Sequence, residues 1–139
     1  MISTIAVGTD GSGTADEAVR VAADLARQLD AKLVLLSAFK ETGRPTRGDS
    51  VELQWATSSA ARIREILKRA EAKLRREGID CTSLVDDGDA GDVLVQLATE
   101  CRADLLVIGN KGMQRRVLGS VPNTVAHKSP CSVLVVKTT

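Results

Sequence analysis

The sequence predicts a doubly wound α/β domain, and three observations carry that prediction. Five short apolar runs alternate with longer stretches of helical periodicity. Some runs are continuous rather than alternating, which suits parallel strands covered on both faces. Glycine-rich turns follow the first and fourth runs, where folds of this class collect their ligands beyond the carboxyl ends of strands.

The elements follow in order. Ile2 to Val7 is the first strand and ends in Gly8-Thr9-Asp10-Gly11. Ala15, Ala18, Val19, Ala22, Ala26 and Leu29 then recur at three- and four-residue steps, the spacing of an amphipathic helix. Lys32 to Phe39 is the second strand, with Leu33-Val34-Leu35-Leu36 unbroken. Gly43, Pro45 and Gly48 among charges make Lys40 to Ser50 a loop. From Val51 to Glu77 a long helix carries Ile63, Ile66, Leu67, Ala70 and Leu74 on one face, and Gly78 stops it. Ile79 to Val85 is the third strand. Val93, Leu94, Leu97, Ala98 and Cys101 mark the next helix, whose preceding aspartates suit the positive end of its dipole. Leu105 to Ile108 is the fourth strand, a helix runs up to about Lys128, and Ser132 to Val136 is the fifth strand. Right-handed crossovers of this length wind helices onto both faces of a parallel sheet.

The chain has 139 residues, a length that suits one domain spanning 1–139. A net charge of +1 and only two aromatics, Phe39 and Trp55, argue against nucleic acid as a partner, for want of a basic excess and of rings on which bases stack. One histidine, His127, leaves no histidine cluster for a metal, and a helix-end role beside the dipole suits it better than catalysis. Trp55 reads as a packing or partner-contact residue. Asp86-Asp87-Gly88-Asp89 lacks the ligand spacing and distal glutamate of a calcium loop. Cys81, Cys101 and Cys131 form no CxxC pair and read as buried free thiols of a reducing cytosol. With no basic leader and no apolar run long enough to span a bilayer, the expectation is a cytoplasmic protein with no membrane partner.

Two turns carry the chemistry. Gly8-Thr9-Asp10-Gly11-Ser12-Gly13 has no P-loop lysine and fails the dinucleotide fingerprint at its last glycine. Asp10 would repel phosphate but accepts hydrogen bonds from sugar hydroxyls, so it is a ribose anchor rather than a phosphate ligand; capping the next helix is the plainer alternative. The second turn, Gly109-Asn110-Lys111-Gly112, leads through Arg115 and Arg116 to Gly119-Ser120. Glycines let backbone amides approach an anion, and a helix opening near Ser120 adds its N–H groups and dipole. Lys111, Arg115 and Arg116 make this segment locally basic in a nearly neutral chain.

With these residues the chain resembles the nucleotide-binding branch of the universal stress protein family over essentially its whole length. The resemblance rests on Val7-Gly8-Thr9-Asp10-Gly11-Ser12, Gly88-Asp89-Ala90, Ala103-Asp104-Leu105-Leu106-Val107-Ile108-Gly109, Gly119-Ser120-Val121-Pro122-Asn123 and the run from Pro130 to Val136. The family's ATP-binding motif is Gly-x2-Gly-x9-Gly-Ser/Thr. Here Gly109, Gly112, Gly119 and Ser120 match it, but only six residues, Met113 to Leu118, form the spacer.

The resemblance implies a Rossmann-like, five-stranded parallel sheet of order 3-2-1-4-5 and an adenine-nucleotide site at the ends of its first and fourth strands. It puts Asp10 on the ribose, the backbone near Ala38 on the adenine edge, and Gly109, Gly112, Gly119, Ser120 and Val121 around the phosphates. The expected binding set is Gly8, Thr9, Asp10, Ala38, Ile108, Gly109, Asn110, Lys111, Gly112, Arg115, Gly119, Ser120 and Val121. ATP with Mg²⁺ on its phosphates is the first ligand expected; the shortened spacer allows AMP-like ligands, and cAMP, preferred by some members of the family, is a further alternative that the resemblance carries. A homodimer is implied through the fifth strand, Val133 to Val136. No residue is expected to be catalytic: the sequence offers no water-activating base with an arginine finger, so hydrolysis is slow or absent. The rival reading is a dimeric interaction module with no nucleotide.

Overall fold

The computed structural model describes residues 1–10, 13–40, 50–110 and 120–137, with backbone alone for 13–16, 50–59 and 120. Among the described residues nine elements alternate: β1 (Thr4–Gly8), α1 (Gly13–Leu29), β2 (Lys32–Phe39), α2 (Ser50–Arg76), β3 (Cys81–Asp87), α3 (Ala90–Glu100), β4 (Leu105–Gly109), α4 (Ser120–Lys128) and β5 (Ser132–Val136). The sheet is parallel throughout, in the order β3-β2-β1-β4-β5. The expected loop within residues 41–49 lies outside the described residues, as does the side chain of Trp55 in α2. No described helix is long and apolar enough to cross a membrane.

Alternation along the strands divides the core in two. Ile5, Val7, Leu33, Leu35 and Val107 point to one face, where α1 lays Ala18, Ala22 and Ala26 and α2 lays Leu67 and Leu74. Ala6, Val34, Leu36, Leu106 and Ile108 point to the other, where α3 lays Val93, Leu94 and Leu97 and α4 lays Val125. Strands buried on both faces need the continuous apolar runs seen in the sequence. The alanine stripe of α1 has no bulk to hold the helix away from the sheet.

Three helices, α1, α2 and α3, end in a shared way. At the end of α2, Gly78 takes φ +88°, its N–H donates to Arg75 O at 3.0 Å, and Ile79 N–H donates to Leu74 O at 3.1 Å. This is a Schellman closure, with Leu74 and Ile79 both buried as its apolar pair. Asp30 after α1 and Arg102 after α3 adopt φ 55° with equivalent bonds, Ala31 N–H to Ala26 O at 2.9 Å and Ala103 N–H to Ala98 O at 3.0 Å. The α2 closure absorbs Ile79, so β3 begins at Cys81, two residues later than its apolar pattern suggests. It also continues through Asp86 and Asp87, which pair with Ala38 and Phe39. β1 begins at Thr4 rather than Ile2, because pairing starts with Thr4 opposite Lys32.

Candidate functional site

The sheet opens where its winding reverses, between β1 and β4. The two strands pair from Ile5 with Leu105 to Val7 with Val107. Beyond that point each turns to its other neighbour: Thr9 N–H donates to Leu36 O of β2 at 2.9 Å, and Asn110 N–H to Val136 O of β5 at 3.0 Å. The chain ends are thus drawn apart, and a crevice is left between them at the carboxyl edge.

That crevice is a cavity of about 160 Å³ lined by Gly8, Thr9, Asp10, Ala38, Ala90, Leu94, Ile108, Gly109, Val121 and Pro122. Its floor is aliphatic, from Leu94, Ile108, Val121 and Pro122. Gly8 leaves room for Leu94: a Cβ on residue 8 would stand 2.9 Å from Leu94 Cδ1 and 3.6 Å from Ile108 Cγ2, so the leucine end would have to shift. Gly91 plays a similar part between the helices, since a Cβ there would lie 2.9 Å from Cβ of Thr124. The close approach brings the N-terminal ends of α3 and α4 to the same side of the cavity, through Ala90 and Val121. Pro122 is buried in the first turn of α4, where its missing N–H costs nothing to the helix ladder.

The electrostatics are those of a polar rim on an apolar floor. Asp10 lines the cavity after β1, and α3 and α4, whose N-terminal ends carry the positive end of the dipole, reach it through Ala90 and Val121. Asp89 occupies the N-cap position of α3, yet its carboxylate makes no capping bond and lies 3.7 Å from Lys40 Nζ. Lys128 Nζ lies 3.6 Å from Asp92 across α4 and α3. Both pairs are exposed and contribute at most about 1 kcal/mol each. Among the described residues no three histidine, cysteine or acidic side chains gather as a metal cluster. His127 is exposed in the last turn of α4, roughly 9 Å of helix rise beyond Val121.

Of the expected binding residues, Gly8, Thr9, Asp10, Ala38, Ile108, Gly109 and Val121 meet in this cavity. Asn110 is buried beside β5 and is not among the lining residues. Ser120 opens α4. Lys111, Gly112, Arg115 and Gly119 lie outside the described residues, as does Arg116. Sequence reasoning missed Ala90, Leu94 and Pro122 as wall residues. Leu94 carried only the signal of a core position; what puts it here is the return of the chain from β3 past β2 and β1 to β4, with α3 lying over β2.

The thiols are all free. Cys81 is buried as expected, but Cys101, the C-cap of α3, and Cys131, just before β5, are only half-buried at the margin of the core.

The sequence model of the universal stress protein family matches residues 1–137. A universal stress protein of Mycobacterium tuberculosis is 38% identical over 144 aligned residues, covering 98% of this chain and 97% of its own length. A crystal structure of a universal stress protein in complex with cAMP is 36% identical, with a TM-score of 0.79 and 99% of each chain covered. A universal stress protein of Archaeoglobus fulgidus in complex with dAMP is 27% identical, with a TM-score of 0.68, 99% of this chain and 100% of that one.

Proposed function

The chain belongs to the universal stress protein family, and from that premise we propose that it is a stress-response regulatory protein whose cavity binds an adenine nucleotide. One observation carries the reading: Asp10 of the first turn, Ala38 of β2 and Gly109 of the fourth-strand turn, far apart in sequence, line one cavity with an aliphatic floor. An apolar slot holds a purine through buried area, a carboxylate at its edge accepts ribose hydroxyl hydrogen bonds, and helix N-termini attract the phosphates.

ATP is the ligand proposed first. Asp10 holds its ribose, the Ala38 backbone its base edge, and Gly109, Gly112, Gly119, Ser120, Val121, Lys111 and Arg115 its phosphates. Mg²⁺ would come held by those phosphates, since no described acidic cluster offers it a cage and Asp10 is the one carboxylate among the lining residues. Hydrolysis is slow or absent. A second reading, cAMP, is favoured by the cAMP complex of the 36%-identical protein. It suits a spacer of six residues where the family's ATP motif has nine, which shortens the backbone beside the outer phosphates. Val133 to Val136 of β5 form the homodimer edge, and the cytoplasm is the compartment that free thiols suit.

The test is direct. Nucleotide released from denatured protein is identified, and the emptied protein is titrated calorimetrically with ATP, AMP and cAMP. Binding of any of the three, weakened in Asp10→Ala, supports the site, and their order assigns the ligand. No heat at millimolar concentrations of all three overturns it in favour of the interaction-module reading.

A further inference from the structure

The sheet has two edges, β3 and β5, and their backbones are finished differently. Leu33 pairs with Cys81, and Leu33 N–H donates to Asp80 O at 2.8 Å. Alternate residues of a strand turn their N–H and C=O to the same neighbour. Thr82, Leu84 and Asp86 therefore face β2, whereas Cys81, Ser83, Val85 and Asp87 face outward. At one end Arg75 of α2 donates Nε to the outward carbonyl of Cys81 at 2.8 Å. Arg75 Nη2 lies 3.1 Å from Glu71 Oε1, and the other Glu71 oxygen accepts the Ser83 hydroxyl, so the guanidinium is held against the edge. At the other end Asp86 Oδ1 accepts the outward N–H of Asp87 at 2.7 Å. Only Ser83 and Val85 lie between these closed ends.

Among the described residues β5 is closed at its start alone. Val136 O accepts from Asn110, so Ser132, Leu134 and Val136 face β4, and Cys131, Val133 and Val135 face outward. Ser129 Oγ donates to Cys131 O at 2.8 Å and accepts Cys131 N–H at 3.1 Å. Past that point no side chain among the described residues bonds the outward groups of Val133 or Val135, and Val135 is 38% exposed.

We propose that Arg75 and Asp86 are edge guards that close β3 to strand addition, so that a second copy of this chain can pair only along β5. The inference rests on the β5 pairing proposed above. A free strand edge is a template for another chain, and native sheets blunt one with charge or with bonds from their own side chains. Pairing two copies along β3 would displace Arg75 from the Cys81 carbonyl and Asp86 from the Asp87 N–H.

Sedimentation velocity over a concentration series, with hydrogen exchange read at Ser83 and Val85, tests this on the full chain. Wild type is expected to stop at a dimer with both amides exchanging freely. Arg75→Ala/Asp86→Ala, with native circular dichroism, is expected to build larger species as concentration rises and to protect both amides. The same size and exchange as wild type overturn the proposal. If the double variant loses native dichroism, Asp86→Ala alone decides: increased association with protection at Val85 supports the guards, and unchanged behaviour overturns them. A monomeric wild type overturns the β5 pairing instead, and the guards then stand or fall on whether the variant associates where wild type does not.

Discussion

Gly8 and Leu94 occupy space that cannot hold both a leucine and a Cβ: the two positions come within 2.9 Å when the Cβ is placed. The contact sets the depth of the cavity, because Leu94 lies where a larger residue 8 would sit. Leu94 Cδ1 is the end of a flexible side chain, so Gly8→Ala is expected to fold while turning Leu94 into the cavity. Overpacking of this kind costs about 1–3 kcal/mol, and a loss of 1.4 kcal/mol in binding is roughly tenfold in affinity. Calorimetric titration with adenine nucleotides should show that loss. Truncation in Gly8→Ala/Leu94→Ala should recover most of it; a double variant as weak as the single one would remove Leu94 from the explanation.

Arg102 closes α3 at φ 55°, a conformation that costs an L-residue with a side chain about 1–2 kcal/mol. Arg102→Gly is therefore expected to stabilise the protein by roughly 1 kcal/mol, part of the relief being offset by the entropy of glycine in the unfolded chain. Urea denaturation gives the number. A destabilised variant would mean that the arginine side chain does more than its exposed position indicates.

The Asp104 carboxylate fastens the start of β4 to the start of β1, accepting Ser3 N–H at 2.9 Å and Thr4 N–H at 3.0 Å. These two donors hold its pKa below the ordinary carboxylate value. A depressed folded-state pKa gives stability that is present above the unfolded value and is lost as pH falls through the folded one. Wild type and Asp104→Ala should thus differ in denaturation midpoint by a constant amount near neutrality, and the difference should shrink below about pH 4. A difference that persists in strong acid would assign the effect to packing instead.

Burial raises the Cys81 thiol to about 12, with Glu71 adding to the shift. The thiolate is the nucleophile, so at pH 8 Cys81 should be the last of the three cysteines to be alkylated by iodoacetamide. Mass spectrometry of tryptic peptides over time reads the order. The raised folded-state pKa also gives stability that is complete below the unfolded value of about 8.5 and is lost as pH rises toward 12. Early labelling of Cys81 in the native protein would show that α2 opens from β3 locally.

Much of the fold was legible because its signals are local. Lys32–Phe39 and Ser132–Val136 were readable to the residue, since their apolar runs coincide with their backbone pairing. β3 was not, because pairing with Ala38 and Phe39 carries the strand into Asp86 and Asp87, which no apolar pattern marks. In the cavity, Asp10 and Gly109 announced themselves as turn residues at strand ends. Ala90, Leu94 and Pro122 did not, for an alanine, a leucine and a helix-start proline are ordinary wherever a helix meets a sheet.

By itself the sequence determined the order of elements, the parallel sheet and the strand ends at which a ligand site should form, because periodicity, glycine turns and crossover length are properties of neighbouring residues. Tertiary structure alone decided which helix residues wall the cavity and which outward backbone groups of β3 are bonded by side chains of α2 and of the strand itself. Both depend on groups distant along the chain: Gly8 yields to Leu94 of α3, and Arg75 of α2 reaches the outward carbonyl of Cys81.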